Sequence, residues 1–246
     1  MGALGYRIGW LLVAVALSGS VAGLSPSVEA RQIDPAATTA FTTSATGLLP
    51  ATSDDRNVAI GRLEVESGAS LSDPVPTLPG FVIVIDGTVL ISADETDPVA
   101  ILNTGDVLWL SDGVTYAFAA LDGPAAFWRV AISPDVSGRD ISRSDQYTLT
   151  LGDLTGNDIP AGAVRQYTVH TGLLPAGTSA AMGGDGDKVL YAFALAGAVT
   201  LTDEGATIDP GSFVSPFFET VTAEASADGA ALAGFIAQGP IIPLTK

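Results

Sequence analysis

Short apolar segments alternate with polar or glycine-containing stretches along most of the chain from Asn57 onward. An apolar run at 81–85 precedes Asp86-Gly87, and another at 107–110 precedes a Ser-Asp-Gly sequence. Segments of four to eight apolar residues bounded by such turn residues are typical of antiparallel strands. No window after residue 30 sustains an apolar stripe of period 3.6. The pattern therefore predicts an all-β sandwich or barrel with little helix.

The first 30 residues have a different pattern. Arg7 is followed by an apolar run over 8–17 and then by small residues, which is the three-part pattern of a secretory signal peptide. Cleavage fits after Ala22 or after Ala30, and we favour Ala30. An uncleaved membrane anchor is the alternative, because 8–24 is nearly long enough to span a bilayer. We expect a secreted or extracytoplasmic protein with no membrane association after cleavage.

The same order of glycine landmarks occurs twice along the chain. Three glycines in each half correspond at offsets of 109, 110 and 106 residues: Gly68, Gly87 and Gly105 with Gly177, Gly197 and Gly211. Near-constant offsets predict an internal duplication over 54–134 and 163–242. The segment 135–162 is then a linker, in which 146–151 suits an edge strand. Residues 31–53 lack strand or helical periodicity and are expected to form an extended arm or linker.

Composition narrows the chemistry. The 246 residues include no Cys and one His, which excludes disulfides, thiolate zinc sites, iron–sulfur clusters and a cysteine nucleophile. Ten Lys and Arg against 27 Asp and Glu give a net charge of −17. Because such a charge repels phosphate groups, nucleic acid and anionic lipid are not expected partners.

The glycine frames resemble the two sequence motifs of the cupin family, which lie on a small jelly-roll barrel. The first motif matches 68–87 and the second opens at Gly105; in the other half the first matches 177–197 and a looser second motif opens at Gly211. The resemblance implies two tandem small jelly-roll barrels packed as a bicupin. Because two such repeats in one chain can pair sheet against sheet, we expect a monomer.

The family's metal-ligand positions are altered in this chain. In metal-binding cupins two His, a Glu and a later His converge on one ion inside the barrel. The corresponding residues here are Pro74, Pro76, Gly80 and Tyr116 in the first repeat, and Gly183, Asp185, Leu190 and Thr222 in the second. Transition metals favour imidazole and carboxylate ligands, so we expect no metal and no other cofactor. These eight residues become candidate lining residues of ligand cavities.

His170 and the loop that contains Asp185 and Asp187 each have a structural and a functional interpretation. His170 lies in a predicted strand away from the family's ligand positions, and we favour a surface or rim histidine over an acid–base catalyst. Asp185 and Asp187 lie two residues apart in a glycine-rich loop, where oxygen ligands can bind calcium. A solvated turn is the favoured interpretation of that loop, which leaves the two aspartates as weak calcium candidates.

Two functional hypotheses follow. We favour an exported, metal-free cupin-domain protein, which is a non-catalytic structural module or binds a small apolar or sugar-like ligand in its barrels. The alternative is a metal-independent enzyme of the sugar isomerase or epimerase type, with Tyr116 or Asp185 as its acid–base group. Its weakness is the missing histidine base.

Overall fold

The computed structural model describes residues 41–51, 56–73, 77–94, 97–133, 147–151, 162–184, 186–216 and 219–243. These residues form 18 strands and no helix, and their strand pairings within the sheets are antiparallel. The predicted all-β fold is therefore confirmed over this part of the chain, which belongs to the unit Pro35–Lys246. Among the described residues there is no helix that could cross a membrane. The predicted signal peptide at 1–30 lies outside the described residues.

Two sheets make up the first half of the molecule. The first inner sheet contains, in order across the sheet, β10 (Tyr147–Leu151), β2 (Arg56–Val65), β9 (Ala125–Ser133), β4 (Gly80–Asp86) and β7 (Val107–Leu110). The first outer sheet contains β3 (Ser70–Ser72), β8 (Tyr116–Ala120), β5 (Thr88–Ala93) and β6 (Asp97–Asn103).

The second half is built in the same way. The second inner sheet contains β1 (Thr42–Pro50), β11 (Val164–Leu174), β18 (Ala231–Ile242), β13 (Lys188–Ala196) and β16 (Ser212–Val214). The second outer sheet contains β12 (Ser179–Gly183), β17 (Thr220–Ala225), β14 (Val199–Leu201) and β15 (Ala206–Ile208). Strands β2 to β9 and strands β11 to β18 thus take up the same places in the two halves, an arrangement consistent with a jelly roll.

The fifth strand of each inner sheet comes from outside that half's own run of strands. β1 precedes the first half but pairs with β11, whereas β10 precedes the second half but pairs with β2. Residues 42–50 are therefore a strand, although their sequence lacks strand periodicity. They lie at a sheet edge, where hydroxyl groups bond across the pair, as Ser44 Oγ does with Thr171 Oγ1 at 2.6 Å. The edge strand predicted at 146–151 is confirmed as β10.

Three apolar layers hold the four sheets together. The central layer contains buried residues of both inner sheets, and Trp128 of one meets Phe193 of the other edge to face at 5.4 Å. The first layer, inside the first half, is rich in branched and aromatic side chains such as Phe118 and Phe127. The second layer, inside the second half, includes seven buried alanines. Burying such apolar area is the main stabilising contribution to a fold of this kind.

The exchanged strand β1 also contacts the first half. A Cβ added at Gly47 would overlap the indole ring of Trp109 on β7. Trp109 in turn packs edge to face on Phe81, with ring centroids 4.8 Å apart. The absence of a side chain at Gly47 therefore lets β1 lie directly against this aromatic pair.

Candidate functional site

The first candidate site lies between the two sheets of the first half. Gly80 begins β4 of the first inner sheet and Tyr116 begins β8 of the first outer sheet. Tyr116 is buried in the first layer, and its hydroxyl accepts a hydrogen bond from the backbone N–H of Ser111 at 3.1 Å. Pro74 and Pro76 lie outside the described residues.

A buried ion pair occupies the same region. Arg129 and Asp73 are 0% and 4% exposed, and Arg129 Nε donates to Asp73 Oδ2 at 3.0 Å and to Oδ1 at 3.2 Å. The two terminal nitrogens donate to backbone carbonyls, Nη1 to Val130 and Nη2 to Leu78, each at 2.6 Å. The Asp73 N–H donates to the Tyr116 carbonyl at 2.9 Å. The guanidinium thus fastens both Asp73 and Leu78, which flank the positions of Pro74 and Pro76.

Gly80 makes room for this pair. Its φ is +154°, and an added Cβ would overlap the Val130 carbonyl oxygen and come within 2.9 Å of Arg129 Nη1. Only glycine allows so close an approach of β4 to β9. The space that a longer side chain would take at Gly80 is therefore filled by the neighbouring backbone and the guanidinium.

The electrostatics of the pair follow from its burial. Desolvation lowers the pKa of Arg129, while the charge and hydrogen bonds of Asp73 raise it. A guanidinium titrates so far above neutrality that it stays cationic even when buried. The first half therefore holds a permanent positive charge that is matched by one carboxylate.

A cupin-type metal site does not fit this arrangement. Neither Gly80 nor Tyr116 offers an imidazole or carboxylate ligand, and the Arg129 guanidinium would repel a divalent cation. Within the described ranges, no three His, Asp or Glu side chains come together as a metal site would require.

No motif in the sequence points to Arg129. It lies in the run Phe127 to Ile132, in which every residue is buried. This run is the sequence signal that could have identified Arg129. Because the strand is apolar on both faces, an arginine in it cannot reach solvent and needs a carboxylate partner.

The candidate residues of the second half do not form one cluster. Leu190 is buried in the central layer, facing the other half. Thr222 lies between the buried residues Val221 and Ala223, and because side chains alternate along a strand, it points away from the second layer. Gly183 ends β12. The motif spacing alone could not show that Leu190 faces the other half, because the pairing of β13 is irregular between Val189 and Tyr191. Asp185, and with it the calcium pair with Asp187, lies outside the described residues.

His170 forms the polar site of the second half. Its ring stacks on Phe235 with centroids 4.6 Å apart and planes 10° apart. Nε2 lies 2.9 Å from Thr168 Oγ1, and Nδ1 lies 3.3 Å from Thr43 Oγ1 on β1. Burial lowers the pKa of His170, and the charge of Asp187 opposes this shift. The imidazole is therefore held neutral between hydroxyl groups.

The two sites occupy matched places. Arg129 on β9 lies opposite Gly61 on one side and Val82 on the other. Phe235 on β18 lies opposite His170 and Ala192 in the same way. One half thus has a charged pair where the other has an aromatic stack.

Comparisons with known proteins add the following. No protein-family model matches the chain, and no curated protein matches it. Among solved structures, it is similar to the protein YhaK from Escherichia coli, with 19% identity, coverage of 74% of this chain and 84% of that chain, and a TM-score of 0.48.

Two further structures are similar at the same level. A cupin 2 conserved barrel domain protein from Leptotrichia buccalis has 10% identity, coverage of 80% and 90%, and a TM-score of 0.43. Oxalate decarboxylase from Bacillus subtilis has 11% identity, coverage of 84% and 76%, and a TM-score of 0.48. Likenesses this weak carry no argument about function, so the site must be judged on its own geometry.

Proposed function

We propose that this chain is an exported, metal-free protein of the cupin type. Two tandem barrels, over 54–134 and 163–242, pack as a bicupin, and the protein acts as a non-catalytic module that is structural or binds a small molecule. The observation that carries this proposal is the buried pair of Arg129 and Asp73. The cationic guanidinium of Arg129 makes four hydrogen bonds there, in the region where the family's motif would place a metal ion.

The state of Tyr116 argues against the enzyme alternative. An acid–base group must reach its substrate, whereas Tyr116 is buried and its hydroxyl already accepts the Ser111 N–H. A buried phenol with a fixed partner packs the first layer instead of exchanging protons with a ligand.

The second half is the better place for a small apolar or sugar-like ligand. Seven of the fifteen buried residues in its layer are alanines, and the hydroxyl of Thr168 and the imidazole of His170 lie beside this layer. Ligand sites commonly combine apolar walls with a few polar groups of this kind.

Metal analysis of the purified protein tests the central claim. We expect far less than one equivalent of iron, manganese, nickel or zinc, and a melting temperature that neither EDTA nor added metal changes. One equivalent of a metal, removed by EDTA with a lower melting temperature, would contradict the proposal.

A ligand screen separates the binding module from the enzyme. Sugars and small apolar acids are tested for thermal shifts, and sugars that shift the protein are incubated with it and analysed for isomers. We expect no turnover, and shifts that His170→Ala reduces and Tyr116→Phe leaves unchanged. Isomer formation that is abolished in Tyr116→Phe would establish the alternative.

Export is tested on the full chain expressed with its own N-terminus in a bacterial host. We expect the protein outside the cytoplasm, with an intact mass that corresponds to a start at Arg31 or Gly23. A cytoplasmic protein of full mass would contradict this part of the proposal.

A further inference from the structure

A row of apolar residues crosses the outward face of the first outer sheet. Leu90 on β5 lies between the buried residues Val89 and Ile91, so its side chain points away from the first layer. Its cross-strand partners are Ile101 on β6 and Ala119 on β8. These three residues make a continuous apolar row across the sheet.

Neighbouring residues extend this row into a patch. Val99, Ile101 and Leu121 are 49%, 59% and 40% exposed. We call these residues, with Leu90 and Ala119, the apolar face. An exposed apolar patch surrounded by polar residues is typical of an interaction site.

The second half shows that the fold does not require the apolar face. The matched row of the second outer sheet has Thr200 on β14 as its centre, paired with Thr207 and with Glu224. The same backbone arrangement is thus covered by hydroxyl and carboxylate groups, which solvent accommodates without a partner. The apolar residues of the first half therefore need an explanation other than folding.

The charge around the apolar face has one sign. No lysine or arginine occurs between Arg62 and Arg129, a stretch that includes the whole first outer sheet. Exposed carboxylates lie at the start of β6 and in the turns that follow the strands of this sheet: Asp94, Asp97, Asp106 and Asp122. A complementary partner must therefore present cationic groups around an apolar centre.

We propose that the apolar face docks a protein segment with apolar side chains flanked by lysine or arginine. A second copy of this chain fits less well, because it would bring two acidic rims together. Its area also argues for a segment: three strands and three rows of residues measure about 10 Å by about 14 Å, whereas a stable dimer buries about 800 Å² per partner.

The test uses a synthetic probe of defined chemistry. A fluorescein-labelled peptide of alternating lysine and leucine is titrated with the full protein in about 0.15 M salt, where exposed charges are screened beyond about 8 Å. A peptide with glutamate in place of lysine is the charge control. We expect saturable binding of the lysine peptide and no binding of the glutamate peptide.

Substitutions at the apolar face separate docking from general charge attraction. Leu90→Thr with Ile101→Thr introduces the two threonines of the matched row in the second half and leaves the net charge at −17. We expect about tenfold weaker binding or more, which corresponds to about 1.4 kcal/mol, because both substitutions remove apolar contact with the leucines of the probe. Thr200→Ser with Thr207→Ser, on the second outer sheet, is the matched control and should bind like the wild type.

Several outcomes would overturn the proposal. Equal binding by the Leu90→Thr and Ile101→Thr variant would mean that charge alone attracts the probe, and equal binding of the glutamate peptide would remove the role of the acidic rim. A dimer in sedimentation, or binding to phosphatidylcholine vesicles, that is lost in the same variant would assign the face to a second copy or to lipid. If the double variant fails to fold, Ile101→Thr alone, at the most exposed position, must weaken binding.

Discussion

In the first half Arg129 lies opposite Gly61 and forms an ion pair with Asp73, whereas in the second half Phe235 lies opposite His170 and stacks on its ring. The strand order around these positions is the same. A barrel of this type therefore accepts a charged pair or an aromatic stack at the same place. What the halves share is the apolar packing between their sheets, so the packing, and not one central group, maintains the framework.

The largest effect is expected from breaking the charged pair. Arg129→Met leaves the Asp73 carboxylate buried without its cation, and removing one partner of a buried pair costs about 3–5 kcal/mol. Urea unfolding followed by tryptophan fluorescence measures the loss.

A double variant tests whether the charge itself matters. Arg129→Met with Asp73→Asn removes both charges and should recover a large part of the lost stability, because no uncompensated charge is then left buried. If the double variant is as unstable as Arg129→Met, the arginine acts through its bonds to Leu78 and Val130.

A substitution at Gly47 tests how far the two halves depend on each other. Gly47→Ala places a methyl group in the ring of Trp109, and overpacking of this kind costs about 1–3 kcal/mol. We expect faster hydrogen exchange in β1 and β7 together. Ala45→Gly, also on β1, is the control and should leave the exchange of β7 unchanged.

The aromatic stack of the second half should be less sensitive than the ion pair of the first. Phe235→Leu keeps an apolar side chain but removes the ring contacts with His170 and Phe41, which are worth about 0.5–1.5 kcal/mol beyond area burial. The free energy of unfolding in urea should fall by about 1 kcal/mol. A loss as large as that of Arg129→Met would contradict the comparison.

The smallest change in folding stability is expected when the pH is lowered, and it arises in the second half. Because burial lowers the pKa of His170 below its ordinary value of 6.5, the unfolded chain takes up the proton first. The contribution to stability is complete above pH 6.5 and is lost as the pH falls through the folded-state pKa.

Two measurements check this pH dependence. The chain has one histidine, so an NMR titration of its ring reports this site alone and should have a midpoint below pH 6.5. His170→Gln should show a smaller loss of stability between about pH 7.5 and about pH 5 than the wild type. Identical losses would assign the acid sensitivity to the carboxylates.

The sequence predicts the strands and turns of this fold well, because these depend on local patterns. Apolar segments bounded by polar turn residues identify β4 and β7. Gly87 has a positive φ of 79°, as expected for a glycine in a tight turn. The edge strand β10 was also predictable. Each of these features can be read from fewer than ten neighbouring residues.

The features that escaped prediction depend on contacts distant in sequence. Arg129 is 56 residues from Asp73, and its burial appears only when β9 is placed between neighbours on both sides. β1 is paired with residues more than 100 positions away: Thr43 and His170, for example, are separated by 127 positions. Leu190 and Thr222 have the family's spacing. The pairing of β13 is irregular beside Leu190, which lies in the central layer. Side chains alternate along β17, so Thr222 points away from the second layer.

The crossed attachment of β1 and β10 has a practical consequence for dividing the protein. A cut between β9 and β10 would give two fragments, each of which lacks the outermost strand of its own inner sheet and keeps the strand that belongs to the other. Two such fragments, made separately, should recombine when mixed, because each carries the missing edge of its counterpart. A single backbone cleavage between β9 and β10 should likewise leave a nicked molecule whose two pieces stay associated.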